Sequence, residues 1–276
     1  MLKTIISLLT LGLCVTSATV QAKETVTVAG STSVSHIMDV LADTYSLTHK
    51  NTTIAIQGTG STAGITAVKQ GAAEIGMSSR IIEPTELEGD YKTVTIAHDG
   101  IALVVNKDNP VTNLTHQQVM DIYQGKITNW KSINGNDLDM AVVSRENASG
   151  SRFSFEHFMG LTKKVSEFTV SDISPRVLVV STNGMVKSLV SRNKHAIGYV
   201  SLGSVDDSVK AVSYDNVFPT IAKIESGEYK IARPFLLMFK ESKLDKDAQQ
   251  FIKFVLSNQA QTIIRDKGYV SIDEKA

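Results

Sequence analysis

Four times along this chain a short run of β-branched and apolar residues gives way to a turn rich in hydroxyls and glycine, then to apolar positions at helical spacing. Residues 25–29 alternate, which predicts a strand. Gly30-Ser31-Thr32-Ser33 follows, and Val34, Ile37, Met38, Leu41 and Tyr45 then mark one face of a helix. The second unit is a strand over 53–57, the turn Gly58-Thr59-Gly60-Ser61-Thr62, and a helix over 63–70. The third runs from Met140-Ala141-Val142-Val143 through Arg145-Glu146-Asn147-Ala148-Ser149-Gly150-Ser151-Arg152 into a helix bearing Phe153, Phe155 and Phe158. The fourth runs from Val177-Leu178-Val179-Val180 through Ser181-Thr182-Asn183-Gly184 into a helix over 185–190.

Further strands are predicted over 73–77, 94–97, 101–106 and 196–200, with Asp99-Gly100 breaking the middle two apart. A helix is predicted over 115–123, and one amphipathic helix over 245–264. Pro234 lies inside the apolar stretch 231–238, which puts that segment at an edge or a crossing. Strands alternating with helices predict an α/β fold with mixed, mostly parallel sheets and helices on both faces. The expected arrangement is two lobes: residues 23–103 with 204–276 as lobe I, and 104–203 as lobe II. The ligand then lies in the interlobe cleft, at the carboxyl ends of the strands.

The first residues change the picture of where the chain works. Met1-Leu2-Lys3 is basic, residues 5–15 are almost wholly apolar, and Val20-Gln21-Ala22 offers small residues for cleavage. That run is shorter than the roughly 20 residues a bilayer span needs, so residues 1–22 read as a cleaved signal peptide and the product as periplasmic. The single cysteine, Cys14, falls inside it. Leu13 is large where a lipoprotein box wants a small residue. Beyond residue 22 there is no thiol for a disulfide or a thiolate site. With 28 basic and 28 acidic residues in all, the chain lacks the basic excess of a nucleic-acid surface.

Candidate chemistry comes from the turns. Helix starts carry unpaired N–H groups and a partial positive charge, and parallel strands bring them to one edge of a sheet. Taken singly, Ser31, Thr32, Ser33, Ser61 and Thr62 read first as helix caps. Together, three helix ends at roughly +0.5 each and one arginine supply about +2.5, enough to balance a divalent oxyanion. Arg145 is that arginine: its planar fork spans two oxygens of one anion. Ser149 and Ser151 add hydroxyls, and Gly150 lets the backbone approach. Arg152 pairs instead with an acid on its own helix.

In these turns the chain resembles the phosphate-binding proteins of bacterial phosphate ABC importers, which have the type II periplasmic binding-protein fold. The resemblance runs through Gly30-Ser31-Thr32-Ser33, Gly58-Thr59-Gly60-Ser61-Thr62-Ala63-Gly64, Ile75-Gly76-Met77-Ser78-Ser79-Arg80 and the Arg145–Ser151 loop, in that order. Ala196-Ile197-Gly198-Tyr199-Val200 and Ala232-Arg233-Pro234 resemble the family's later scaffold segments. It implies inorganic phosphate held by Thr32, Ser33, Ser61, Arg145, Ser149, Gly150 and Ser151, with Ser31 as the cap beside them. It also implies ABC permease subunits as partners, a monomer, and no cofactor. One departure matters. Better-known members carry an aspartate where this chain has Ser79, and that carboxylate accepts the proton of hydrogen phosphate. Asp99 is the candidate replacement, though it also reads as a turn residue, and Glu146 beside Arg145 is expected to face solvent. Choice of phosphate over sulfate rests on one of them reaching the ligand.

Other classes fare less well. Gly58–Ala63 with Glu83 downstream matches a dinucleotide fingerprint only loosely, and an exported protein meets little nicotinamide cofactor. No serine has glycines placed for a nucleophile elbow, and the six histidines are scattered singly, without metal-ligand pairing. The chain therefore reads as a binder and not an enzyme. Its rivals are receptors for another oxyanion (sulfate, molybdate) or an adhesion or matrix role on the same scaffold.

Overall fold

The computed structural model describes residues 24–272, so the expected signal peptide lies outside the described residues. The chain opens with β1 (Glu24–Gly30), α1 (Thr32–Ser46), β2 (Thr52–Gly58), α2 (Ser61–Lys69) and β3 (Ile75–Ser78). The long β4 (Tyr91–Val105) leads to β5 (Asn113–Leu114), α3 (His116–Tyr123), β6 (Ala141–Arg145) and α4 (Gly150–Met159). The hairpin β7 (Thr162–Val165) and β8 (Phe168–Ser171) follows, then β9 (Leu178–Val180), α5 (Asn183–Arg192) and β10 (Ala196–Ser201). Last come β11 (Lys210–Ala211), β12 (Ser213–Tyr214), α6 (Ile221–Glu225), β13 (Ala232–Lys240), α7 (Lys246–Val255), α8 (Asn258–Asp266) and β14 (Val270–Ser271).

Ten of these strands make one continuous sheet in the order β2-β1-β3-β13-β4-β10-β6-β9, with β11 and β14 also pairing with β4, while β5 with β12 and β7 with β8 form two small separate pairs. β1 pairs in parallel with β2 and β3, and β6 in parallel with β10 and β9. Between these two parallel blocks, β13 and β4 run antiparallel to their neighbours. The carboxyl ends of β1, β2 and β3 therefore share one edge of lobe I. Those of β6 and β9 share one edge of lobe II, and the strand-to-helix turns gather there.

Each lobe has its own core. Val28, Ile37, Met38, Ile75, Leu237 and Phe251 pack together in lobe I, with α1, α7 and α8 covering the sheet. In lobe II the buried ring cluster Tyr123, Trp130, Phe155 and Tyr199 lies under α3 and α4. Phe155 stacks on Tyr199 with centroids 4.0 Å apart.

Three sequence expectations change. The runs over 94–97 and 101–106 are one strand, because Asp99 is not a turn residue. Its carboxylate meets Arg233 on the neighbouring strand, and Gly100 pairs with Ala232. The expected helix over 245–264 is two, α7 and α8. Leu256 ends the first and Ser257 caps the second, its hydroxyl accepting from the Ala260 N–H. The return crossing falls at Ile231–Ala232 and not near 204. Val212, Tyr214, Ile224 and Tyr229 bury their side chains in the lobe II core, and β11 pairs with the lobe II end of β4. Pro234 sits at that crossing, in the part of β13 that extends past its pairing with β3.

Gly30 ends β1 with φ of +142°, and a Cβ there would lie 2.2 Å from the Met77 carbonyl oxygen. The close approach lets the Ser31 N–H donate to that carbonyl at 2.9 Å, which places the start of α1. Gly30→Ala is expected to cost about 1–3 kcal/mol of folding stability, read by chemical denaturation. An unchanged midpoint at equal slope would refute the close approach.

Candidate functional site

Five strand-to-helix or strand-to-loop junctions meet between the lobes. From lobe I come the starts of α1 and α2 and the end of β3. From lobe II come the starts of α4 and α5. Ser31 caps α1, its hydroxyl accepting from the Ser33 and Val34 N–H groups, and donates its own proton to Ser79 Oγ at 2.8 Å. Ser61 opens α2. Its hydroxyl accepts from the Ser79 N–H at 3.1 Å and lies 3.4 Å from Ser79 Oγ. Ser149 caps α4 by accepting from the Arg152 N–H at 3.3 Å. Capping and ligation are thus not alternatives here, since a capping hydroxyl still has a proton to donate.

Across the cleft, Ser33 Oγ lies 3.1 Å from Ser151 Oγ and accepts from Asn183 Nδ2 at 3.0 Å. Arg145 Nη2 donates to Thr32 Oγ1 at 3.1 Å. The Thr62 N–H donates to the Ala148 carbonyl at 3.2 Å, and Arg80 lies over the Phe153 ring at 4.9 Å from its centroid. The lobes are therefore closed on each other. Ser31, Ser33, Ser61, Ser79, Arg145, Ser149 and Ser151 are all buried, as are Asp99 and Arg233. Thr32 is partly exposed. Beside it a cleft of about 440 Å³ runs past Asn183 to the ion pair of Lys187 and Asp206.

Arg145 is the last residue of β6, and its backbone is pinned from behind: its N–H donates to the Tyr199 hydroxyl at 3.3 Å. Burial pushes that phenol up to about 12, with its hydrogen bond to Ser144 opposing the shift, so it stays protonated. The guanidinium donates to the Ser181 carbonyl at 2.6 Å, to Asn183 Oδ1 at 3.2 Å and to both Glu146 oxygens at 3.3 Å. Glu146 thus faces Arg145 and not only solvent. Arg152 pairs with Glu156 at 2.8 Å, one helical turn away, and donates to the Arg145 carbonyl, the structural role expected of it.

Arg233 was expected to be scaffold. It is instead a second arginine at the cleft: Nη1 donates to Ser79 Oγ at 3.3 Å and Nη2 to Ser33 Oγ at 3.2 Å. Its Nε and Nη2 donate to Asp99 Oδ2 at 3.1 and 2.9 Å. The other Asp99 oxygen accepts from Ser201 Oγ at 2.9 Å and the Leu202 N–H at 3.2 Å. Desolvation pushes the Asp99 carboxyl up, opposed first by the charge of Arg233, and the same burial pushes Arg233 down. Arginine keeps its proton inside proteins, so the Asp99 carboxyl faces a standing positive charge. The sequence did carry a signal for Arg233, because a charge within an apolar strand requires a buried partner. Asn183 lay in the fourth turn, but nothing singled out its side chain.

The arrangement is a buried cluster of hydroxyls, amide N–H groups and guanidinium groups, held between two closed lobes that must part to admit a ligand. Among the described residues, no group of three or more His, Cys, Asp or Glu is placed to hold a metal. None of their helices is long and apolar enough to cross a membrane.

Comparison with known proteins agrees with this architecture. The chain belongs to the PBP superfamily, whose domain matches residues 15–259. Among its relatives, the phosphate-binding protein PstS of Borreliella burgdorferi is 30% identical over 251 residues, covering 90% of each chain. An ABC-type phosphate transport receptor from Vibrio cholerae superposes with a TM-score of 0.74 at 47% identity, over 90% of this chain and 100% of that one. A putative phosphate ABC transporter substrate-binding protein from Clostridium perfringens, solved with bound phosphate, gives a TM-score of 0.85 at 40% identity, over 91% and 100%.

Gly150 sets how closely the lobes meet, since a Cβ there would lie 2.2 Å from Ser61 Oγ and 2.7 Å from Ser79 Oγ. Gly150→Ala is expected to hold the lobes apart. Small-angle X-ray scattering under conditions that close the unsubstituted protein should then give a larger radius of gyration, and equal radii would refute the contact.

Proposed function

We propose that this chain captures inorganic phosphate outside the cytoplasm and delivers it to the permease subunits of an ABC importer. The observation that carries the reading is the convergence of Arg145 with hydroxyls and helix starts from both lobes in one buried cluster. Relatives and solved neighbours named for phosphate binding and phosphate transport support it.

In this reading Thr32, Ser33 and Ser61 take the anion from lobe I, and Arg145, Ser149, Gly150 and Ser151 take it from lobe II. Ser31 and Ser79 hold the lobe I hydroxyls in position. Four helix starts, those of α1, α2, α4 and α5, point the positive ends of their dipoles at the cluster. A tetrahedral dianion bridging the two lobes adds bonds that only the closed form makes, so it shifts the open–closed equilibrium toward closure. The closed form is then the one a permease recognises. Nothing in the cluster is placed to attack phosphorus: the hydroxyls lack a histidine or carboxylate base within hydrogen-bond reach. The chain acts as a monomeric receptor, not an enzyme, and residues 1–22 serve for its export.

Calorimetric titration of phosphate into protein freed of bound anion by unfolding and refolding tests the reading. Micromolar or tighter binding, about −8 kcal/mol or better, is expected. Arg145→Ala removes charge-assisted bonds worth roughly 1.5–3 kcal/mol each, so at least a tenfold loss of affinity should follow. Full affinity in a folded Arg145→Ala protein would remove Arg145 from the site.

A further inference from the structure

If the cluster is an oxyanion cage, as the proposed function has it, what it can tell apart depends on which of its atoms accept a proton. Two carboxylates stand near it: Asp99, whose acceptor positions are filled, and Glu146, which is partly exposed and turned to the guanidinium of Arg145. Asp99 receives Arg233 Nε and Nη2 on one oxygen, and Ser201 Oγ and the Leu202 N–H on the other. A carboxylate offers about four acceptor positions, and these four donors fill them. Glu146 receives Arg145 Nε on one oxygen and Nη2 on the other. Ser79 brings to the cage a hydroxyl, which Ser31 and Arg233 address.

Hydroxyls answer an anion differently from carboxylates. A serine Oγ–H rotates to donate to an ionised oxygen, or turns its lone pair to a ligand O–H, without leaving a buried charge unpaired. An anion that carries no proton therefore meets no penalty among Ser33, Ser61, Ser79 and Ser151. An open carboxylate would be left buried, repelled and unpartnered by such an anion.

Arg233 adds the charge. One edge of its guanidinium, Nε and Nη2, is held by Asp99, while Nη1 and Nη2 reach Ser79 and Ser33. These are hydroxyls of the same cluster that Ser151 and Asn183 reach from the other lobe. Asp99 acts through Arg233 and is a positioning residue.

We propose that Arg233, oriented by Asp99, is a second guanidinium ligand of the anion, and that the cage sorts tetrahedral oxyanions by charge and size and not by proton, so that sulfate binds as well as phosphate.

The test is calorimetric titration of the anion-free protein with phosphate and with sulfate, and displacement of one by the other, in a chloride buffer of fixed ionic strength. Sulfate is expected to bind within about 100-fold of phosphate, the scale of discrimination a site reaches without an obligatory hydrogen bond. Arg233→Gln should weaken both anions together by at least tenfold, and Arg233→Lys should recover part of that loss for both. Tight phosphate binding that a 10⁴-fold excess of sulfate fails to displace, the scale set by an obligatory hydrogen bond, would overturn this inference and leave the phosphate reading intact. A folded Arg233→Gln protein with both affinities unchanged would overturn it too. If that variant does not fold, the sulfate displacement in the unsubstituted protein decides. Binding of neither anion overturns both readings.

Discussion

Two opposite charges, Asp99 and Arg233, are buried side by side where the chain passes between its lobes, on adjacent antiparallel strands in register. Removing a carboxylate and a guanidinium from water is expensive, and such a pair is tolerated only where further hydrogen bonds satisfy what each leaves open. Ser201 and Leu202 supply those bonds to Asp99, and Ser33 and Ser79 each receive one further donor of Arg233. The pair therefore ties three things together: the long strand common to both lobes, the segment following β10, and the hydroxyls of the cleft. Dislodging any of them strands a buried charge, so the pair works as a geometric constraint on the cleft more than as a source of stability.

Much of this architecture was legible in the order of residues. The repeated strand, hydroxyl turn and helix showed an α/β chain and marked the edges at which its turns gather. Parallel pairing does the rest, because it brings successive carboxyl ends to the same side. Arg145 stood out because it shares one short loop with Ser149, Gly150 and Ser151. Asp99 and Arg233 illustrate what stayed hidden. Next to a glycine, Asp99 reads as a break, and next to a proline, Arg233 reads as scaffold. Only the antiparallel pairing of residues 134 positions apart makes them a pair. The return crossing was misplaced for a similar reason. Residues 205–231 form short, irregular elements whose apolar side chains fall into the lobe II core, and no local periodicity announces which lobe they join.

The same contrast applies to chemistry. Residue types foretold a donor-rich site, since serine, threonine, glycine and arginine at helix starts have few other uses in such density. They did not foretell which carboxylates remain open, because that depends on every neighbouring donor in three dimensions. Ser201 and the Leu202 amide, 102 and 103 positions from Asp99 along the chain, complete the shell around it.

The lobes are joined by β4 and β13 lying edge to edge within a single sheet, not by slack segments. Relative movement must therefore be taken up as twist and bend of these paired strands, which resist sliding past each other. The register irregularity between Phe235 and Leu236 lies one residue beyond a proline that lacks an N–H to donate, and there β14 braces β4 from its other side. Mechanically the molecule is a pair of jaws cut from one sheet, with the Asp99–Arg233 pair set in the strands that they share.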